Sequence, residues 1–192
     1  MDEDKGLKEL GGEPMVAHVI RRLRGLVDEV LLVVGTDEQK AAYSSVVGDG
    51  FRVIADVYES GSPLVGAITG LRSCQGGYAL ITACDMPFLS GKIIRMLFEV
   101  AEGYNGAVFQ WPNGWIEPLI AVYKVEPSLR KAQDLYDSDD LRIRKILLEM
   151  PNVNYIKIDI LKNIDPELLT LFDADTREAL RKAESILRKV EE

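Results

Sequence analysis

Residues Tyr78 to Leu89 read Tyr-Ala-Leu-Ile-Thr-Ala-Cys-Asp-Met-Pro-Phe-Leu, and this segment carries the most informative pattern in the chain. Its first part, Tyr78 to Ala83, is uncharged and mostly apolar, which is typical of a strand buried on both faces. The run stops at the single carboxylate of Asp85, and Pro87 follows. Because ligands of open α/β sheets bind just beyond the carboxyl ends of parallel strands, Asp85 is a candidate for chemistry. The alternative is a turn residue, since aspartate is also common where strands turn.

Apolar runs and amphipathic segments alternate on both sides of this stretch. Val30 to Val34 is one aliphatic run, and Phe51 to Ala55 is another that ends at Asp56. Short buried runs separated by helical patterns predict strands joined by crossover helices. The alternation therefore predicts one α/β domain over residues 1–192, with a doubly wound, mostly parallel, Rossmann-like sheet flanked by helices. Asp56 and Asp85 would then face one crevice.

Local patterns also place several elements and one histidine. Asp140 to Met150 is amphipathic and predicts a helix, Tyr155 to Ile160 alternates as a final strand, and Thr176 to Val190 predicts a long charged helix. His18 falls near the polar side of a helix that starts at Pro14. We expect this histidine to be a surface residue rather than a catalytic base.

Aromatic and basic residues gather in the second half of the chain. Trp111 and Trp115 flank a glycine turn, where the indoles are suited either to stacking on a planar ligand or to packing on each other. A basic cluster consists of Arg142, Arg144 and Lys145. A solvated helix face is the favoured interpretation of that cluster, ahead of a phosphate site.

Composition and charge exclude several classes of protein. The 192 residues carry a formal net charge of −8, which argues against a broad basic surface for nucleic acid. No apolar run approaches the roughly 18 residues that span a bilayer, and the polar start is unlike a signal peptide. Cys74 and Cys84 belong to no metal motif, so both are expected to be thiols in a reducing compartment. We expect a cytoplasmic protein without nucleic-acid or membrane partners.

Carboxylates outside the central stretch complete a candidate metal site. Asp173 and Asp175 stand two residues apart at a predicted helix start. One of them, added to Asp56 and Asp85, would make an oxygen-ligand set of the kind that binds Mg²⁺, which keeps several waters and contacts substrate phosphates. A phosphorylated ligand is therefore expected.

With these motifs in view, the chain resembles the molybdenum cofactor guanylyltransferases of the MobA-like nucleotidyltransferase family, which attach GMP from GTP to the phosphate of molybdopterin. The matching segments are Asp4 to Leu7 with Leu10 to Pro14, Asp56 with Gly61 to Gly66, Cys84 to Phe88, and Phe172 to Thr176. The resemblance implies a nucleotide-diphospho-sugar transferase-like fold, with GTP and molybdopterin as partners and Mg²⁺ as cofactor.

The resemblance also implies roles for individual residues. Lys5 would neutralise the GTP phosphates and Asp85 would hold Mg²⁺, which makes both catalytic. Asp56 would bind the nucleotide and Asp175 would be a second metal ligand. The remaining nucleotide-binding positions that the resemblance implies are Gly61, Pro63 and Gly66. Positioning and charge neutralisation suffice for this reaction, so the single histidine is not needed.

The chain departs from the family pattern at both ends. Family members begin with a strand and a glycine-rich loop, Leu-Ala-Gly-Gly-x-Ser-x-Arg-Met-Gly, and Met1 aligns with the methionine of that motif. We interpret this as a misassigned start codon and expect little activity from the polypeptide as written. An unpaired central sheet would expose backbone groups and favour homo-oligomers.

Near the carboxyl end, Asp175 stands where the family has asparagine, which leaves the second substrate open. One alternative is another nucleotidyltransferase of the same fold, which either uses CTP as the nucleotide donor or acts on a sugar phosphate or cobinamide phosphate as the acceptor. A catalytically silent nucleotide-binding or partner protein is the remaining alternative.

Overall fold

The computed structural model describes residues 4–48 and 50–191. Strands and helices alternate along most of the chain. In chain order the elements are a 3-10 helix (Lys5–Leu7), β1 (Glu9–Leu10), β2 (Glu13–Pro14), α1 (Met15–Leu23), β3 (Leu31–Val34), α2 (Asp37–Val47), β4 (Arg52–Ala55), α3 (Pro63–Ser73), β5 (Tyr78–Thr82), α4 (Gly91–Ala101), β6 (Gly106–Gln110), β7 (Ile116–Lys124), α5 (Val125–Asp137), α6 (Arg144–Glu149), β8 (Val153–Lys157), α7 (Ile158–Ile164), a second 3-10 helix (Leu169–Leu171) and α8 (Arg177–Glu191).

The strands form a mixed sheet, which confirms the α/β class. Four strands are hydrogen-bonded in the order β5-β7-β6-β8, and β3 pairs in parallel with β4. β7 runs antiparallel to β5 and to β6, whereas β6 and β8 are parallel. The reversal of β7 follows from the short turn that joins it to β6, because a hairpin makes its two strands antiparallel.

Two helices on opposite faces hold the β3–β4 pair and the four-stranded sheet in one layer. On one face, Val16 of α1 is buried in the same cluster as Val34 of β3, and Val19 of the same helix is buried in the same cluster as Val122 of β7. On the other face, Ile68 of α3 is buried in the same cluster as Tyr123 of β7, and α3 also contacts β3. Since Val122 and Tyr123 are consecutive strand residues, they point to opposite faces of the sheet.

The centre of this layer contains an interruption between β3 and β5. Within the described residues, neither strand pairs with the other and no strand lies between them. All five residues of β5 are half-buried, while Ala121 and Tyr123 of β7 are fully buried. Tyr78 to Ala83 was expected to form a strand that is fully buried on both faces. The strand is present but only half-buried, because one edge of β5 has no neighbouring strand.

His18 differs from its prediction. It is 7% exposed, and its Nε2 lies 2.8 Å from the carbonyl oxygen of Leu10, to which it donates. The β1–β2 hairpin folds back over α1 and covers the helix face that carries the histidine. A helical pattern read alone does not reveal such a cover, which is why the surface assignment was wrong.

Two elements near the carboxyl end also begin or end elsewhere than predicted. The helix expected from Asp140 begins at Arg144, because Asp140 uses its carboxylate to accept from the Arg142 amide and side chain instead of entering a helix. The last strand ends at Lys157, and a helix starts at Ile158 with Ile158 and Leu161 buried on one face.

Among the described residues, no helix is both long and apolar enough to cross a membrane.

Candidate active site

Lys5, Asp85 and Asp175 meet beyond the carboxyl end of β5. The Lys5 ammonium nitrogen lies 3.6 Å from Asp85 Oδ2 and 3.9 Å from Asp175 Oδ2. The Asp85 residue is only 6% exposed, whereas about half of the Lys5 side chain is open to solvent. The structure thus brings together the three residues that the resemblance assigned to phosphate and metal binding, and leaves the ammonium accessible to a ligand.

The segment that carries Lys5 is fixed by contacts with α2. The Asp4 carboxylate accepts from the Gly6 amide at 3.2 Å and from Gln39 Nε2 at 2.6 Å, and the Tyr43 hydroxyl also donates to it. Gly6 lies so close to its neighbours that an added Cβ would stand 2.9 Å from Cys84 Sγ. These contacts set the position of the lysine beside Asp85.

Sequence reasoning missed Asp4, Gln39 and Tyr43 as positioning residues. Their hydrogen bonds join segments that are distant along the chain, and no local pattern signals such partners. Burial is the largest influence on the neighbouring thiol and raises the pKa of Cys84 to about 11, with the Asp85 charge acting in the same direction. Cys84 is therefore a neutral thiol that packs at the site rather than a nucleophile.

The loop before α8 is hydrogen-bonded to the Asp85 backbone. The Ala174 amide donates to the Asp85 carbonyl oxygen at 3.0 Å, which holds Asp173 and Asp175 at the site. Burial raises the pKa of Asp173, the charges of Asp85 and Asp175 raise it further, and Lys5 partly opposes them. Negative charge therefore exceeds positive charge at this point, as expected where a cation binds.

These carboxylates suit a metal ion that completes its coordination with other oxygens. In the described part of the chain, no three histidine, cysteine, aspartate or glutamate residues are grouped closely enough to hold a metal by themselves. Mg²⁺ is commonly bound through one or two carboxylates together with waters and substrate phosphates. Asp85 and Asp175 fit that pattern of incomplete protein coordination.

Asp56 and Gly66 form a second group at the end of β4. The Asp56 amide donates to the Val34 carbonyl oxygen at 2.7 Å, and its carboxylate oxygen Oδ1 is buried without a hydrogen-bond partner. Burial raises the pKa of Asp56, while the nearby Thr69 hydroxyl lowers it in part. A Cβ added at Gly66 would lie 4.0 Å from this oxygen, so glycine keeps the approach to it open. A buried acceptor without a donor costs free energy, so this oxygen is an acceptor that a ligand could use.

The residues between these two groups shape the start of α3. Ser62 caps the helix by accepting from the Leu64 amide at 3.2 Å, and Pro63 occupies its first position. Gly61 has φ +61°, a left-handed conformation that favours glycine. The predicted nucleotide-binding positions Gly61, Pro63 and Gly66 thus lie in or beside one helical turn, close to Asp56.

Most of the basic cluster is engaged by carboxylates. Asp140 accepts from Arg142 Nε at 2.8 Å and pairs with Lys145 at 2.8 Å, and these hydrogen bonds hold the pKa of Asp140 well below its usual range. Lys145 also pairs with Glu149 at 2.9 Å. These two cations therefore belong to a surface ion-pair network, in agreement with the solvated-face interpretation.

The two tryptophans have different surroundings. The indole N–H of Trp111 donates to Glu117, and the ring is partly buried against the core. The Trp115 ring instead lies beside the Arg144 guanidinium, whose central carbon is 4.9 Å from the ring centroid. Each indole has its own partners, so the alternative in which they pack on each other does not describe this turn.

Comparison with known proteins identifies the family of this chain. Residues 1–153 match the family model described as the MobA-like NTP transferase domain. The chain belongs to this family. A probable molybdenum cofactor guanylyltransferase of Natronomonas pharaonis is 30% identical over 183 residues, which cover 95% of this chain and 89% of the relative. A protein of the same description from Methanosarcina mazei is 30% identical over 184 residues, covering 92% of this chain and 80% of the relative.

Solved structures confirm the predicted fold of this MobA-like chain. Molybdopterin-guanine dinucleotide biosynthesis protein A from Archaeoglobus fulgidus matches with a TM-score of 0.83 at 23% identity, covering 98% of this chain and 92% of that one. A 2-C-methyl-D-erythritol 4-phosphate cytidylyltransferase from Thermus thermophilus matches with a TM-score of 0.70 at 13% identity, covering 96% and 94%. These similarities concern the shared nucleotidyltransferase fold.

Proposed function

We propose that this member of the MobA-like family transfers GMP from GTP to the phosphate of molybdopterin and releases pyrophosphate. The observation that carries the proposal is the position of Lys5 Nζ, 3.6 Å from Asp85 and 3.9 Å from Asp175. An exposed ammonium beside two carboxylates suits a reaction whose substrates are all phosphates. The names of the relatives from Natronomonas pharaonis and Methanosarcina mazei support the same activity.

The reaction needs charge masking more than proton transfer. An oxygen of the acceptor phosphate bonds to the α-phosphorus of GTP while the bond from that phosphorus to the pyrophosphate oxygen breaks. Lys5 would neutralise the triphosphate, and Asp85 and Asp175 would hold Mg²⁺. The ion, when bound, offsets the negative charge of the phosphates. Both reactants are anions already, so the residues act by positioning and neutralisation.

Asp56 is the residue that would recognise the base. Its buried oxygen Oδ1 lacks a donor, and the Watson–Crick edge of guanine presents N–H donors. Gly66 leaves room for a ring to approach that oxygen. The base would then lie near the start of α3, with its triphosphate directed toward Lys5 at the end of β5.

The proposal is tested by following labelled GMP from α-labelled GTP onto molybdopterin in the presence of Mg²⁺. We expect slow but measurable transfer, in keeping with the low activity expected from the sequence, with stoichiometric pyrophosphate release and competition by unlabelled GTP but not by CTP. Equal competition by CTP would assign the chain to a different nucleotidyltransferase reaction. GTP binding without any pyrophosphate release would instead indicate a silent nucleotide-binding protein.

The metal assignment has its own test, with Mn²⁺ as a spectroscopic substitute for Mg²⁺. Because the protein supplies only part of the coordination, free Mn²⁺ should bind weakly to the chain alone and at least tenfold more tightly when GTP is present. Asp175→Asn should weaken binding in both cases, whereas Asp159→Asn, which changes a carboxylate paired with Lys162 on the surface, should not. Equal Mn²⁺ affinity with and without GTP would contradict a shared coordination shell.

A further inference from the structure

Trp115 is a large aromatic side chain that the fold leaves half exposed. Half of the residue, 50%, is open to solvent, although an indole gains much by burial. The Arg144 guanidinium lies 4.9 Å from its ring centroid and covers part of it. The neighbouring indole of Trp111, in contrast, is partly buried and hydrogen-bonded to Glu117. The turn thus exposes the Trp115 indole to solvent, with the Arg144 guanidinium against one part of the ring.

The position of Trp115 along the strands places it at the same end of the sheet as Asp85. Thr82, the last residue of β5, stands opposite Ile120 of β7. Because the two strands are antiparallel, the residues that precede Ile120 continue past the carboxyl end of β5. In the β6–β7 pair, Val108 stands opposite Ala121 and Gln110 opposite Ile116, so an irregularity in β7 leaves Ile116 about 7 Å beyond Ala121 along the strand direction. Trp115 therefore lies beyond the carboxyl ends of the parallel strands β5 and β6, at the same end of the sheet as Asp85.

The order of the strands separates Trp115 from Asp56. Asp56 follows β4, Asp85 follows β5, and Trp115 precedes β7, which is the next strand beyond β5. Since α1 and α3 hold both sheets in one layer, Asp85 lies between the other two residues across that layer.

The segment that carries Arg144 is joined to the loop before α3. The Ser62 hydroxyl donates to the Leu141 carbonyl oxygen at 3.2 Å. Arg144 is therefore on the same face of the sheet as the α3 turn that contains Gly61 and Pro63. Arg142 and Lys145 are bound by Asp140, whereas the guanidinium of Arg144 lies against the indole.

We infer that the Trp115 indole, backed by Arg144, is the stacking surface for the planar fused ring of the acceptor substrate. This inference rests on the proposed function, because that reaction requires a second substrate whose phosphate reaches the α-phosphorus of GTP opposite the leaving pyrophosphate. The substrate class is a pterin-like heterocycle that bears a phosphate. A ring on the open face of the indole would be held by aromatic stacking, and Arg144 would fix the indole from behind.

Fluorescence tests the inference without measuring catalysis. The chain has two tryptophans, so Trp111→Phe leaves Trp115 as the single indole reporter. The probe is 6-hydroxymethylpterin monophosphate, whose absorption overlaps indole emission. We expect saturable quenching in Trp111→Phe, whereas in Trp115→Ala, where Trp111 remains as the reporter, saturation should need about 5- to 150-fold more pterin. Absence of saturable quenching, or quenching by GTP in place of the pterin, would overturn the assignment.

Kinetics then distinguish this surface from the nucleotide site. Stacking on an aromatic side chain is worth ~1–3 kcal/mol per ring, so Trp115→Ala should raise the KM for molybdopterin by about 5- to 150-fold. The KM for GTP should not change, and Trp115→Phe should restore most of the loss. Arg144→Lys should weaken molybdopterin binding less than Arg144→Gln, because it keeps the cation.

The two proposals fail in different ways. If the unaltered chain transfers no GMP but the pterin still quenches Trp115, the ring site stands and the proposed reaction is wrong. If GMP transfer proceeds and Trp115→Ala leaves the KM for molybdopterin unchanged, the reaction stands and the ring site is wrong.

Discussion

Lys5 and Asp85 form an ion pair, 3.6 Å between Nζ and Oδ2, that joins the first 3-10 helix to the end of β5. In the ligand-free protein the lysine offsets the charge of a buried carboxylate, which would be costly to leave unpaired. A bound metal ion would take over that role and leave the ammonium available to the phosphates. The ion pair is thus part of the site, and it also stabilises the site when no ligand is bound.

Asp85→Asn should abolish most activity and change the titration of a neighbour. Loss of the carboxylate should reduce GMP transfer by about 100-fold or more, a magnitude typical of losing one group that stabilises transition-state charge. The pKa of Asp173 should fall in the variant, because the Asp85 charge is one of the causes that raise it. Carboxyl titration by NMR measures that shift. An unchanged Asp173 pKa would contradict the proximity of the two carboxylates, and Asp159→Asn is the matched surface control.

Gly66→Ala and Gly70→Ala separate packing from binding within one helix. Both glycines lie inside α3, where alanine should stabilise the fold by ~0.5–1 kcal/mol. A methyl group at Gly66 would stand 4.0 Å from Asp56 Oδ1, whereas one at Gly70 would touch Val33 at 3.5 Å. We therefore expect both variants to unfold at higher urea concentration.

The same pair of variants should differ in nucleotide binding. Gly66→Ala should raise the KM for GTP by about tenfold, equivalent to ~1.4 kcal/mol of lost contact. Gly70→Ala should leave the KM for GTP unchanged, since its methyl group faces β3. Equal KM values for the two variants would show that no ligand approaches Asp56 past Gly66.

Local pattern was enough to predict the strand that ends before Asp85, whereas the nucleotide-binding role of Gly61 and Gly66 beside Asp56 was implied by the family resemblance. The strand depends on residues that are close in sequence, which form the apolar run of β5. The surroundings of Lys5 could not be predicted, because Asp4 reaches Gln39 and Tyr43 across a tertiary contact. The burial of His18 depends on a hairpin folding over its helix, which is also a tertiary effect.

The helix that begins at Ile158 is a second feature that local sequence pattern did not predict. Tyr155 to Ile160 alternates in sequence, and the alternation correctly predicted part of a strand. Beyond Lys157, however, Ile158 and Leu161 are buried three residues apart against α4, a spacing that belongs to a helix. Packing against a neighbouring helix decided the outcome where the local pattern allowed both structures.

Asp56 should make stability depend on pH in a predictable direction. Burial raises its pKa in the folded protein, so the folded state binds this proton more tightly than the unfolded state does. The resulting stabilisation is present below the unfolded value of about 3.9 and is lost as the pH rises through the folded pKa. Asp56→Asn should therefore be more stable than the unaltered protein at neutral pH, and the two should converge in acid.

Urea unfolding of both proteins over a pH series measures this difference. The free energy gained by Asp56→Asn at neutral pH should be accompanied by weaker GTP binding, as expected of a group kept for function at a cost in stability. A difference in unfolding free energy that does not vary with pH would show that the Asp56 carboxylate titrates normally.

The interruption between β3 and β5 should be visible in hydrogen exchange. β7 pairs with a strand on each side, whereas in the described structure β3 pairs only with β4 and β5 only with β7. Amides of β3 and β5 that point toward the interruption lack a carbonyl partner, so they should exchange orders of magnitude faster than those of Ala121 to Tyr123 in β7. Amides on the paired edges of the same strands are the internal control. Uniform slow exchange through β3 and β5 would mean instead that another strand occupies the interruption in solution, since only a hydrogen-bonded neighbour would protect both edges at once.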